Sequence, residues 1–307
     1  MTGAPLLALV GPTASGKTEV GLTIAETLGA EIVSIDSMLV YRGMDVGTAK
    51  PTAAERARVP HHLIDIVEPS EPFSVAAFQH AARVAIGGIV GRGAPPILVG
   101  GSGLYLRAVV DDLQLPGTDP STRAELERQA STLGAARMYE RLAALDPVAA
   151  GRIEPGNVRR IVRALEVAAV TGRPFSTFAR GWGRYPADAV RAAGVRMSRE
   201  VLTGRIERRV DVMLEGGWVD EVRTLVERGF GGWLTASQAI GYAELARHLR
   251  GDMTLAEAVE VTVRRTGNLA RRQMAWFRRD PRIRWFDVGT EGAVGAIVPI
   301  KAYLEAA

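Results

Sequence analysis

Short apolar runs alternate with helix-like stretches over the first hundred residues. Ala4 to Val10 (APLLALV), Glu31 to Ile35 (EIVSI) and Pro96 to Val99 (PILV) are the runs, with Leu63 to Val67 a further candidate. Continuous apolar character, rather than apolar-polar alternation, is the pattern of strands buried on both faces. Between the runs, Val20, Ile24 and Leu28 recur at helical spacing and predict a helix over Thr18 to Leu28, and Ser74 to Val90 predicts another. Strands alternating with helices imply right-handed crossovers and a parallel sheet. A doubly wound α/β unit is the expectation.

From about Asp119 only helical patterns follow: Arg123 to Leu133, Arg137 to Leu145 and Asn157 to Thr171, separated by signals such as Asp146-Pro147 and Pro155-Gly156. Gly172 to Pro186, rich in glycine and aromatics, reads as a loop. Val195 to Met197 returns to the sheet, Val201 to Gly216 is an amphipathic helix, and Arg284 to Val288 (RWFDV) is a late strand. The expected architecture is an α/β parallel-sheet core over residues 1–115 and 195–307, ending in C-terminal helices, with a helical insertion over 116–194.

Composition narrows the chemistry. The 307 residues include no cysteine, which excludes a disulfide scaffold, a thiolate-ligated zinc site and a cysteine nucleophile. No run reaches the roughly 18 apolar residues of a membrane span, and the N-terminal apolar run is too short for a signal peptide. A cytoplasmic location is expected. Net charge is only +4. The basic residues are nearly all arginine, however, with Lys17, Lys50 and Lys301 the only lysines. Codon bias accounts for that ratio but not for the clusters at Arg159-Arg160-Arg163, Arg205-Arg208-Arg209 and Arg264 to Arg284. Such clusters suit phosphate-rich partners or solvated helix faces. In the last run, arginine pairs recur about seven residues apart and form one stripe of a helix, and Trp276 and Phe277 read as core. His61 and His62 lack a matching ligand cluster and read as structural.

Gly11-Pro12-Thr13-Ala14-Ser15-Gly16-Lys17-Thr18 matches G-x-x-x-x-G-K-[ST], with an apolar strand before it and a helix after it. In such a P-loop the backbone N–H groups and the helix N-terminus point at a phosphate, the lysine adds charge, and the hydroxyl of Thr18 can reach a magnesium ion. The motif specifies a di- or triphosphate and leaves the reaction open. Asp36 follows the second strand and is expected at the carboxyl edge of the same sheet, where ligands of open α/β sheets bind. The segment after it, Ser37 to Pro51, is polar and punctuated by glycine.

Taken in order, GPTASGKT, DSMLVYRGMDVGTAKP, PHHLIDIVEP and ILVGGSGLYLRAV resemble the bacterial tRNA dimethylallyltransferases, also called tRNA isopentenyl transferases. RRIVRALEV, SREVLTGRIERRV, SQAIGYAEL and RRTGNLARRQMAWFR extend the resemblance over nearly the whole chain. It implies a P-loop NTPase-like core with an inserted helical tRNA-binding domain. The implied reaction moves a dimethylallyl group from dimethylallyl diphosphate to the exocyclic N6 of the adenosine beside the anticodon. That nitrogen is a weak nucleophile and must shed a proton, so a carboxylate is the natural base. Asp36 matches the base position.

The leaving diphosphate needs backbone donors, cations and metal. Residues Gly11 to Thr18, with magnesium on Thr18, meet that need. Arg205 and Arg209, at i and i+4, share a helix face and can fork onto one anion, and by resemblance Arg209 is the stronger choice. The adenosine must be flipped out of the anticodon loop. Asp36, Ser37, Met38 and Leu39 are candidates for the extruded base. Ser102, Arg123, Arg159, Arg160, Ile161, Val162, Arg163, Ile240, Gly241 and Tyr242 are candidates for the neighbouring nucleotides. One monomer per anticodon arm is expected. Two other readings stay open from residues alone: a small-molecule P-loop kinase using Asp36, and a nucleotide-gated nucleic-acid-binding protein.

Overall fold

The computed structural model describes residues 5–111, 113–179, 181–290 and 292–306, so Ala4 of the first expected strand lies outside the described residues. The chain divides into two compact units, one from the segments on either side of 111–184 and the other from 111–184 itself.

In the first unit the chain runs β1 (Leu6–Val10), α1 (Lys17–Leu28), β2 (Glu31–Ser34), α2 (Ala53–Arg58), β3 (His61–His62), α3 (Val75–Gly91), β4 (Pro96–Gly100) and α4 (Gly103–Val110). The second unit holds α5 (Pro120–Leu145), α6 (Pro147–Ala150) and α7 (Val158–Thr171). The first unit resumes with β5 (Val190–Arg196), α8 (Arg199–Glu215), α9 (Trp218–Glu227), α10 (Tyr242–Leu249), α11 (Leu255–Phe277), β6 (Ile283–Asp287) and α12 (Ile297–Glu305). Among the described residues the six strands form one sheet, ordered β3-β2-β4-β1-β5-β6, and every pairing is parallel. No described helix is long and apolar enough to cross a membrane.

One apolar layer covers each face of the sheet. Phe78, Ala82 and Ile89 of α3 pack with Val33, Leu98 and Ala192 on one face, and Val20, Ile24 and Ala25 of α1 pack with Leu9, Ile97 and Ala193 on the other. Gly21 lets α1 lie close to the sheet, because a Cβ there would press on both methyls of Val99 at 3.1 Å.

Two expectations need correction. The third strand is His61–His62, not Leu63 to Val67: Leu63 and Asp65 adopt φ of 65° and 56°, which ends the extended backbone, and Val67 makes only an isolated bridge to Tyr41. The returning strand starts at Val190, and residues 190–194 pair with β1, so they belong to the sheet rather than to an insertion ending at 194. Its small Ala192, Ala193 and Gly194 carry a weak apolar signal, and Gly194 leaves room for Ile283 and Trp285 of β6. The segment after Asp36 is polar in sequence yet anchored in the core. Val40, Tyr41 and Met44 are buried in a third core with Val210, Trp218, Leu225 and Tyr242 from the C-terminal helices.

The second unit has its own core. Asp119 caps α5 by accepting the Thr122 N–H, with Pro120 at the first turn, and Gly134 (φ 79°, ψ 165°) breaks α5 between the two expected helices. Leu126, Met138 and Leu142 of α5 pack on Ile161, Val162 and Leu165 of α7.

Candidate active site

The carboxyl ends of β1, β2 and β4 present the phosphate loop, Asp36 and the Gly101-Ser102 turn along one edge of the sheet. Gly16 takes φ 85° to start α1, a conformation that L side chains rarely adopt. Lys17 folds back so that its ammonium donates to the Pro12 carbonyl at 3.2 Å. Burial lowers its pKa from 10.5 to about 8, Asp36 opposes that shift, and Arg209 adds to it. Arg209 is itself lowered by burial, a shift that Asp36 opposes and Arg205 adds to. Lys17, Asp36 and Arg209 therefore lie within one another's fields, two cations and one carboxylate with too little negative charge for balance. An anion completes such a set.

Asp36 accepts the Met38 N–H through Oδ1 at 2.8 Å, which fixes the carboxylate at the start of the following segment. Arg209 projects from α8, which Ser198 caps by accepting the Val201 N–H, and its guanidinium donates to the Thr48 carbonyl at 3.4 Å. Arg205, one turn earlier, reaches the phosphate loop itself. Its Nε donates to the Ala14 carbonyl at 2.8 Å and its Nη1 to Thr290 at 3.4 Å, so it braces the phosphate loop from outside. Ser102 places its hydroxyl at the start of α4, where it accepts the Tyr105 N–H at 3.3 Å.

A model of the IPP transferase family matches residues 39–280, and one of isopentenyl transferases matches residues 4–64. The chain is 50% identical over 303 residues to the tRNA dimethylallyltransferase of Desulforudis audaxviator, covering 98% of both chains. Among solved structures it is similar to the full-length tRNA isopentenylpyrophosphate transferase of Bacillus halodurans, with 42% identity, 98% and 97% coverage and a TM-score of 0.70. It is also similar to a eukaryotic dimethylallyltransferase acting on tRNA, with 25% identity, 92% and 74% coverage and a TM-score of 0.75. The chain belongs to the IPP transferase family.

Within this IPP transferase the segment linking Asp36 to α2 is held by residues that sequence reasoning passed over. Glu221 of α9 accepts the N–H groups of Asp45 and Val46, each at 2.8 Å, and that of Gly47 at 3.3 Å, together with the Tyr242 hydroxyl at 2.6 Å. Lys50 is buried and donates to Asp45 and Asp65, each at 2.5 Å, and to the Tyr41 carbonyl at 2.7 Å. Burial raises the Asp65 pKa, but hydrogen bonds from Lys50 and Arg56 outweigh it and leave the group below its ordinary value. The Trp218 indole fills the space left by both Gly47 and Gly241; a Cβ on either glycine would overlap it.

The residues expected to hold neighbouring nucleotides separate into two groups. Tyr242 is buried with its hydroxyl on Glu221, the Gly241 N–H goes to Glu244, and Ile240 is half-buried. In the second unit Ile161 and Val162 are core residues. Arg123 and Arg163 both bind the fully buried Glu166, at 2.6 and 2.9 Å, and Arg163 also donates to the Pro116 and Gly117 carbonyls. Arg159 and Arg160 are exposed at the start of α7, with no ion pair among the described residues. Ser37, Met38 and Leu39 stay half-buried beside Asp36. His62 lies 2.6 Å from Glu31, a structural contact across β2 and β3.

Proposed function

We propose that the chain transfers a dimethylallyl group from dimethylallyl diphosphate to N6 of the adenosine beside the anticodon of a tRNA, releasing diphosphate. The observation that carries this reading is the grouping of Asp36 with Lys17 and Arg209 at the carboxyl edge of the sheet. A diphosphate in the loop balances the two cations, and the carboxylate beside it is placed to receive a proton. In the reaction the adenine nitrogen forms a bond to the allylic carbon as the carbon–oxygen bond to diphosphate breaks, and the N6 proton passes to Asp36. Lys17, Arg209 and the N–H groups of the loop stabilise the charge that develops on the leaving group.

The donor set suits magnesium, because the exposed Thr18 hydroxyl and the Asp36 carboxylate are hard oxygens, too few for an all-protein cage. Magnesium held there with the diphosphate would neutralise leaving-group charge. Exposed Arg159 and Arg160 supply tRNA phosphate contacts. A cytoplasmic monomer acting on one anticodon arm fits this chemistry.

The test is incubation of the purified protein with unmodified tRNA, dimethylallyl diphosphate and magnesium, followed by mass spectrometry of the nucleosides. Dimethylallyladenosine is the expected product. Its absence, with ATP consumed instead, would return the chain to the kinase reading.

A further inference from the structure

α11 carries one polar side chain in the row that faces inward near its end. Gln273 falls between buried Ala270 and Phe277, three residues after one and four before the other. Its amide oxygen accepts the Thr13 N–H at 2.9 Å. Its amide nitrogen occupies the space beside Gly101 that a Cβ at that position would need. Thr13 belongs to the phosphate loop after β1, and Gly101 to the turn after β4 that leads into Ser102. One amide thus ties together the ends of two neighbouring strands. A second contact of the same kind follows, because a Cβ added at Gly103 would press on the Trp276 side chain at 3.0 Å.

The hydrogen bond also selects which loop donors remain for an anion. Thr13 gives its N–H to Gln273 and Ser15 gives its own to the Pro12 carbonyl at 3.4 Å, so fewer loop donors are left for the diphosphate than the motif Gly11 to Thr18 suggests. A leucine at 273 would keep most of the volume yet leave the Thr13 N–H unpaired, and the loop would gain freedom where the donor binds.

We propose that Gln273 is a positioning residue for the diphosphate cradle, holding the entry of the phosphate loop against the Gly101 turn. The proposal rests on the transferase reading. It predicts that loss of the amide weakens diphosphate binding and leaves tRNA binding alone. Gln273→Leu removes the acceptor, and Gly101→Ala displaces the same amide from the other side.

Titration with inorganic pyrophosphate and magnesium, followed by calorimetry, should show each variant binding about tenfold more weakly, the effect of roughly one hydrogen bond. The double variant should be no weaker than either single one. In turnover, KM for dimethylallyl diphosphate should rise by a similar factor in Gln273→Leu, with kcat and the tRNA Kd of that variant within about twofold. Unchanged pyrophosphate affinity in Gln273→Leu, or losses that add in the double variant, would overturn the proposal. So would a matching loss of tRNA binding, which marks a general structural defect. If the parent protein transfers no dimethylallyl group, the proposed function fails, while the pyrophosphate titration still decides the role of Gln273.

Discussion

Lys17 carries the most informative electrostatics of any single residue. Burial and Arg209 bring its pKa to about 8, and Asp36 alone holds it up. A lysine with a lowered pKa is charged below that value and neutral above it. The kcat/KM for dimethylallyl diphosphate should therefore fall as pH rises through about 8, while tRNA affinity, set by arginines, stays level. Bound diphosphate raises the pKa again, so the alkaline limb of kcat should lie at higher pH than that of kcat/KM. A kcat/KM profile flat to pH 10 would show that the ammonium is not needed. Asp36→Asn tests both roles of the carboxylate at once. Turnover should drop by about 10²–10⁴-fold, the usual worth of a general base, with tRNA affinity retained. The alkaline limb should also move to lower pH, since the one influence raising the Lys17 pKa is gone.

At the scale of elements, α7 carries two kinds of arginine that look alike in RRIVRALEV. Arg163, with Arg123 of α5, offsets the buried charge of Glu166, whereas Arg159 and Arg160 face solvent. Arg123→Ala should therefore lower the melting stability of the second unit by about 2 kcal/mol, less than the roughly 3–5 kcal/mol for a lone buried pair because Arg163 stays. Chemical denaturation followed by circular dichroism measures this, and a variant as stable as the parent would return Arg123 to the surface role that its sequence suggests. What was legible follows the same line. The apolar runs located β1, β2, β4 and the helices that cover them, and the phosphate loop announced its own chemistry. The small residues of β5 hid its start. Glu221, Trp218 and Gln273 stayed hidden because each meets backbone 171 or more residues away, in Gly47 or in Thr13 and Gly101, and no local period records which distant backbone a side chain meets. Gly47 and Gly241 show this most clearly: both sit in recognisable blocks, yet the reason they are glycines is one indole ring in α9. Gly47→Ala should cost about 1–3 kcal/mol through overpacking, read in the same denaturation experiment.

Across the whole molecule, a net charge of +4 understates how the arginines are used. Many are neutralised in place: Arg92 on Glu31, Arg56 on Asp65, Arg228 on Glu68, Arg265 on Glu244, Arg282 on Asp280 and Arg196 on Asp287. Arg159, Arg160, Arg272, Arg278 and Arg279 are exposed and without an ion pair among the described residues. They are among the arginines whose charge is available to a polyanion. Each tRNA phosphate they neutralise releases a counterion, so the slope of log Kd against log salt counts them, at about 0.7–0.9 per contact. Replacing Arg159 and Arg160 together by alanine should flatten that slope by up to about 1.5–2 units and weaken tRNA binding most at low salt. KM for the diphosphate donor should not move, because neither side chain belongs to the cradle. Replacing Arg196 should leave the slope unchanged, since its charge is already spent on Asp287. If the Arg196 variant flattens the slope as much as the Arg159 and Arg160 pair does, binding follows total charge rather than its placement, and the clusters carry no positional information.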